Sequence, residues 1–348
     1  MSVTSKSPLG VAREALAIGS ATLREHTHRF SPKTYTQPQL FACLVLKTFL
    51  RTDYRGVWRI LNEWTELRTI LGLAKVPHFT TLQKASTRLL QAPRVKRLLA
   101  ATLKRQWKRK RKLQRAALDS TGFQCGHASS YYTRRRAGDS KKPVFYKHYA
   151  KLELAVDCAS HFIVAAMAGR GPAVDVDRFV PLLDRALKHV LLDCVLADAG
   201  YDSEPNHRYA REGRGVRSFI PATHGRPTTK LPSGRYRRRM RLRLDKNYGS
   251  YGQRWQVETV HSMIKRRLAT HVAARTYWSQ SRELMLLIVS HNIMILLCVA
   301  RFSTEQVTSL FPPLANSAWA ANSDKRLFSI AFPVLPVTIL DCRQTIPP

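Results

Sequence analysis

Tyr251, Arg254, Glu258 and Lys265 fall on one stripe of a segment with helical periodicity. Counted from Tyr251 at about 100° per residue, Arg254 lies at about 300°, Glu258 at about 340° and Lys265 at about 320°. Val257, Val260, Ile264 and Leu268 occupy the opposite side, between about 180° and 260°. Such a helix docks on a core through its apolar side and offers one carboxylate set among cations. By itself the pattern also describes a surface helix with an i,i+4 Arg254–Glu258 pair, worth about 0.2–0.5 kcal/mol. Two further acids change the reading. Asp119 and Asp198 each close a short apolar run, and acids at the C-terminal ends of neighbouring strands share one sheet edge, over which a later helix can bring a third. Three converging carboxylates repel unless a hard cation sits among them. Mg²⁺ takes oxygen ligands and keeps positions for water and phosphate oxygens, and two such ions about 3.5–4 Å apart serve phosphoryl transfer. Asp119, Asp198 and Glu258 are therefore the candidate catalytic and metal-binding residues, with Arg254 and Lys265 beside them to hold phosphates.

Taken singly, Asp119 and Asp198 also read as caps of turns. Asp202 reads as part of the cap before a helix at Ser203, Asp193 lies inside an apolar run, and Asp157 fits a hairpin turn, so all three rank below. His127, His148 and His261 lack metal-ligand spacing and receive no catalytic role. The six cysteines, Cys43, Cys125, Cys158, Cys194, Cys298 and Cys342, show no CxxC pattern and read as reduced core residues.

Lys and Arg number 58 against 23 Asp and Glu, a formal net charge of +35. Solubility needs far less, and a polyanionic partner is implied. The charge clusters at 104–112, at Arg134 to Arg136 with Lys141 and Lys142, and at 235–243. Each cluster alone describes a solvated face. Together, flanking the candidate acids, they form a phosphate track in which Lys108, Arg109, Lys110, Arg237, Arg238 and Arg239 are expected to touch DNA.

The elements that must position these residues follow from periodicity. Residues 1–34 read as a flexible lead-in. Residues 35–112 read as helical, with Asp53 before one helix and Thr80 as the N-cap of another, and a DNA-binding helix-turn-helix is one reading of this region. Residues 113–302 form an α/β unit. A strand reaches Asp119 and stops at a turn, and a basic loop covers 123–145. A hairpin follows with its turn at 157–160, then a helix over 175–190, a continuous strand over 191–197 and a short strand over 216–220. A basic insertion over 221–247 precedes the Glu258 helix. The apolar run 284–300 falls short of about 20 residues and contains Ser290, His291 and Asn292, which favours a buried helix over a membrane span. Residues 303–348 form a tail of unknown role. The absence of a signal-peptide pattern predicts a cytoplasmic, nucleoid-associated protein.

The spacing Tyr251-x2-Arg254-x3-Glu258-x6-Lys265 matches the YREK signature of DDE transposases of bacterial and archaeal insertion sequences, the IS-four and IS-five-like superfamilies. ALDST around Asp119 and LADAGYDS around Asp198 resemble that family's first and second Asp motifs. TDYRGVWRIL and VPHFTTLQKA resemble its N-terminal helical region. The resemblance covers about residues 35–302. It implies an RNase H-like mixed sheet flanked by helices behind a small all-α region. It also implies Mg²⁺, or Mn²⁺ in its place, on Asp119, Asp198 and Glu258. Tyr251, Arg254 and Lys265 would then contact DNA near the scissile phosphate, and a homodimer or higher oligomer would act on paired terminal inverted repeats and target DNA. An inactive remnant that only binds DNA, and an RNase H-like structure-specific nuclease, are the alternatives.

Overall fold

A computed structural model describes residues 4–107, 109–125, 149–222, 230–244 and 251–310. The chain divides into a unit of residues 1–305 and a second of 306–348, and the candidate site residues all fall in the first.

Six helices come first, and the first three are started by side-chain caps. Ser7 caps α1 (Pro8–Thr22), accepting from the Gly10 N–H, and Thr36 with Gln39 forms a reciprocal capping box on α2 (Gln37–Phe49). Asp53 caps α3 (Tyr54–Glu63), and α4 (Thr65–Leu71) ends on Gly72 in the left-handed region at φ 61°. Then come α5 (Phe79–Leu89) and α6 (Ala92–Gln106). Two expectations are corrected. The lead-in over 1–34 contains α1, whose Val11, Ala12, Ala15 and Ile18 are buried. Its stripe is made partly of alanines, which mark a core face only weakly in sequence. Gly19 lets α1 approach α2, since a Cβ there would meet Pro38 Cα at 3.0 Å. The N-cap of α5 is His78, and Thr80 sits within the helix with its Oγ1 2.8 Å from His78 Nδ1.

The central sheet has the order β4-β3-β2-β6-β7. β2 (Ala116–Cys125), β3 (Tyr149–Asp157) and β4 (Ile163–Gly171) form an antiparallel meander, while β6 (Cys194–Ala197) and β7 (Arg217–Phe219) run parallel to β2. This is the strand order of an RNase H-like fold. β2 does not stop at Asp119, as its Thr-Gly sequence suggests. It continues to Cys125 because β3 supplies a ladder on one side and β8 (His271–Val272) pairs with Gln124 and Cys125. Gly122 belongs to that strand through close approach: a Cβ there would lie 2.9 Å from the Tyr149 ring. The run 191–197 is also interrupted. β5 (Leu191–Leu192) pairs with β1 (Lys112–Leu113) in a separate sheet, and the break at Asp193 is held by its ion pair to Lys112 at 3.0 Å.

Helices α7 (Phe179–Leu187) and α10 (Trp255–Arg267) pack on the central sheet. Between them lie α8 (Glu204–Arg208), capped by Ser203, and α9 (Arg235–Arg243), which gives regular structure to part of the expected insertion. The helix α11 (Tyr277–Leu310) is long and apolar enough to cross a membrane, yet Leu284, Leu287, Ile288, Val289, Ile293, Met294 and Ile295 are buried in the core. Its Asn292 is a polar staple. The side chain accepts from Ile163 N at 3.0 Å and donates to Ile163 O and Thr102 Oγ1, each at 3.0 Å, joining α11 to β4 and α6. Cys43, Cys158, Cys194 and Cys298 are buried free thiols. Residues 126–148, which include most of the expected basic loop with Arg134 to Arg136, Lys141, Lys142, His127 and His148, and the tail from 311 lie outside the described residues.

Candidate active site

The parallel ladder between β2 and β6 closes with the pair Leu118↔Ala197. The next residue on each strand is Asp119 and Asp198. Register alone therefore brings the two carboxylate-bearing positions side by side, on strands about 4.8 Å apart. Each acid is fixed locally in the same way: Asp119 Oδ1 accepts the Ser120 N–H at 2.8 Å, and Asp198 Oδ1 accepts the Ala199 N–H at 2.7 Å. Asp198 is exposed, whereas Asp119 is half-buried beneath α10.

That helix buries Val257, Val260, Ile264 and Leu268, the apolar side expected from periodicity. The side next to it meets Asp119. Arg254 Nη1 stands 3.9 Å from Asp119 Oδ2, and Arg254 Nη2 donates to Glu258 Oε1 at 2.7 Å. The guanidinium thus sits between two of the three acids. Burial pushes the Asp119 carboxyl up to about 6, with Asp198 and Glu258 adding to the rise, while the Ser120 N–H and Arg254 oppose it. Among the described residues, no three of His, Cys, Asp and Glu are grouped closely enough to hold a metal ion. The three-acid ligand set expected from the sequence is accordingly present in its donors but not assembled. Arg254 supplies a counter-charge between Asp119 and Glu258. The donors are hard carboxylate oxygens, which suit Mg²⁺ or Mn²⁺.

The remaining predicted contacts distribute unevenly. Tyr251 is partly buried against the core. Lys265 Nζ lies 5.4 Å from the centre of the Phe123 ring, leaning along β2 beside the site. The Arg237 guanidinium makes a forked pair with Asp202 at 2.8–3.1 Å, and the Asp202 side chain is only 1% exposed. It braces α9 against the turn after β6 rather than facing solvent. Arg238 donates to the Pro232 carbonyl, and Arg239 is exposed. Arg109 and Lys110 are exposed, and Lys108 lies outside the described residues. Asp157 accepts from the N–H groups of Ala159 and Ser160, the turn role expected of it.

Sequence reasoning missed one neighbour of the acids. His261 Nδ1 stands 3.8 Å from Asp119 Oδ2, and burial, then Lys265, hold its ring down to about 4. It is therefore a neutral imidazole beside Asp119. Its position, three residues after Glu258 and on the same side of the helix, was the available signal.

The model of the transposase DDE domain family matches residues 110–293. Among solved structures, the piggyBac transposase synaptic complex with hairpin DNA, determined by cryo-EM, is similar at a TM-score of 0.36 and 10% identity. That alignment covers 90% of this chain and 81% of the other, a likeness too slight to add to the strand order. None of the curated proteins compared matches the chain.

Proposed function

We propose that this chain, which belongs to the transposase DDE domain family, cleaves DNA at the ends of an insertion sequence and joins them to target DNA. The observation that carries the reading is that Asp119 and Asp198 are the next residues after one ladder pair, with Arg254 standing between Asp119 and the Glu258 of α10. Mg²⁺ or Mn²⁺ would be held by these three carboxylates. When bound, such ions activate the attacking oxygen and stabilise the leaving oxygen of a phosphoryl transfer.

The chain's own residues supply the rest. Arg254, once its bond to Glu258 is exchanged for one to DNA, presents a planar fork suited to a phosphate. Lys265 offers a point charge further along the helix, and Tyr251 a ring and hydroxyl at its start. His261, neutral and buried, shields one side of Asp119 from water. The net charge of +35 attracts DNA at long range, with Arg239, Arg109 and Lys110 as exposed contacts. The substrate ends would be terminal inverted repeats held by a homodimer or larger assembly, and the protein would act in the cytoplasm on the nucleoid.

The test is cleavage and joining of labelled DNA carrying the element's own ends, with Mg²⁺ or Mn²⁺, comparing the natural sequence with Glu258→Gln. Metal-dependent joining that vanishes in the variant while end binding persists supports the reading. Cleavage without joining would favour a structure-specific nuclease, and binding with neither would mark an inactive remnant.

A further inference from the structure

Asp119 and Asp198 stand where the β2–β6 ladder ends, so no main-chain bond between those strands ties the residues that follow. A third carboxylate, one that the site above does not use, lies against the residues that follow them, Ser120 and Gly200. Asp175 Oδ2 accepts a hydrogen bond from Ser120 Oγ at 3.3 Å. The same oxygen lies 3.5 Å from where a Cβ on Gly200 would stand, two residues after Asp198. Adjacent strand residues point to opposite faces. Asp119 turns to α10 while Ser120 turns to Asp175, so β2 is gripped from both sides at the site. Asp175 is itself held. Its Oδ1 is 2.5 Å from Lys151 Nζ, whose side chain is 5% exposed and also donates to the Ala173 carbonyl. Asn206 Nδ2 donates to Val176 O at 2.9 Å and to Tyr201 O at 3.0 Å. The segment bearing Asp175 is thereby tied a second time to the turn bearing Asp198. A Lys–Asp pair this deep gains little net stability, because desolvation offsets its attraction. Its place between the carriers of two catalytic acids gives it a different use.

We propose that Asp175, anchored by Lys151, is a positioning residue that sets the separation of Asp119 and Asp198 and thereby the affinity of the acid site for a divalent cation; the inference rests on the metal-dependent reading above. Groups that orient metal-binding carboxylates from behind change metal affinity by roughly ten- to hundredfold when removed.

The experiment is calorimetric titration of the full chain with Mn²⁺ alone, so that turnover plays no part, alongside end-DNA binding in EDTA. Asp175→Ala by itself would leave the buried Lys151 ammonium without its closest carboxylate, so the informative variants are Ser120→Ala and the pair Lys151→Met/Asp175→Leu, which removes both charges together. Both should bind Mn²⁺ more weakly, the pair by about tenfold or more, with end binding within about twofold of the natural sequence. A charge-free pair with unchanged Mn²⁺ affinity would reduce Asp175 to the counter-ion of Lys151 and overturn the proposal. Should that pair not fold, Ser120→Ala decides alone, and unchanged affinity there overturns it equally. Failure of the underlying reading looks different: Mn²⁺ binding by the natural sequence would be absent, or indifferent to Asp119→Asn, and both inferences would fall.

Discussion

Replacing Asp119 by Asn should stabilise the metal-free protein while abolishing its chemistry. The carboxyl is raised from 3.8 to about 6, chiefly by burial, and its side chain is 19% exposed. Between those two values the folded chain holds a proton that the unfolded chain has released. Stability therefore falls as pH rises through that window, and the full cost persists above about 6. A rise of about two units corresponds to a ceiling of about 3 kcal/mol, and relaxation around the site reduces this to about 1–3 kcal/mol. Asn keeps the acceptor for the Ser120 N–H and carries no charge. In EDTA at pH 8 the variant should melt about 1–4 °C above the natural sequence, with the gap closing toward pH 4. Adding Mg²⁺ should reverse the order, since a ligand at a hundred times its Kd adds about 2.7 kcal/mol to the protein that binds it. Comparing the two proteins at each pH isolates Asp119 from the other titrating groups. Coincident melts across pH 4–8 in EDTA would refute the claim that this acid is held at a cost.

Other consequences can be measured with the same material. Glu258→Gln should eliminate metal-dependent cleavage with end binding retained, and equal loss of both in a filter-binding assay would make Glu258 structural. Arg254→Ala and Lys265→Ala should each lower the slope of log binding constant against log salt by about 1; unchanged slopes would remove them from the phosphate track. His207, His261 and His291 are each held down to about 4 by burial, so the unfolded chain takes up protons first as pH falls. Their contribution is complete above about 6.5 and is lost toward 4. The denaturation midpoint of Asp119→Asn, which lacks the opposing acid, should drop between pH 7 and pH 5. Asn292→Ala strands the N–H and C=O of Ile163 as well as opening a gap, and should cost about 2–4 kcal/mol by urea denaturation.

The parts of the site visible in sequence are those encoded by local period. The stripe of α10 could be counted out, and Asp119 and Asp198 could be placed because apolar runs end at them. Asp202 shows the limit. Local sequence marks it as part of a cap, a role its neighbour Ser203 fills, whereas its partner Arg237 stands 35 positions away, beyond the reach of any local pattern. Asp175 is invisible for the same reason: its meaning arises only when Ser120, Lys151 and the turn after β6 are folded around it. The helix α1 was missed because alanines dilute a core stripe. The extension of β2 was missed because Thr121 and Gly122 carry turn chemistry that two neighbouring strands override.

The arrangement around α10 bears on how such a chain can vary. The turn Gly252–Arg254 at its start contacts β2 and β6, and just past its end β8 pairs with the far part of β2. The strand that carries Asp119 therefore clamps the Glu258 helix at both ends. Among the described residues, what seats the helix against β2 and β6 is thus the chain just before and just after it, while α9 packs on α8 and is braced to Asp202 by Arg237. A change within α9 should therefore disturb the turn at Asp202 before it disturbs the seat of the Glu258 helix on the strand of Asp119.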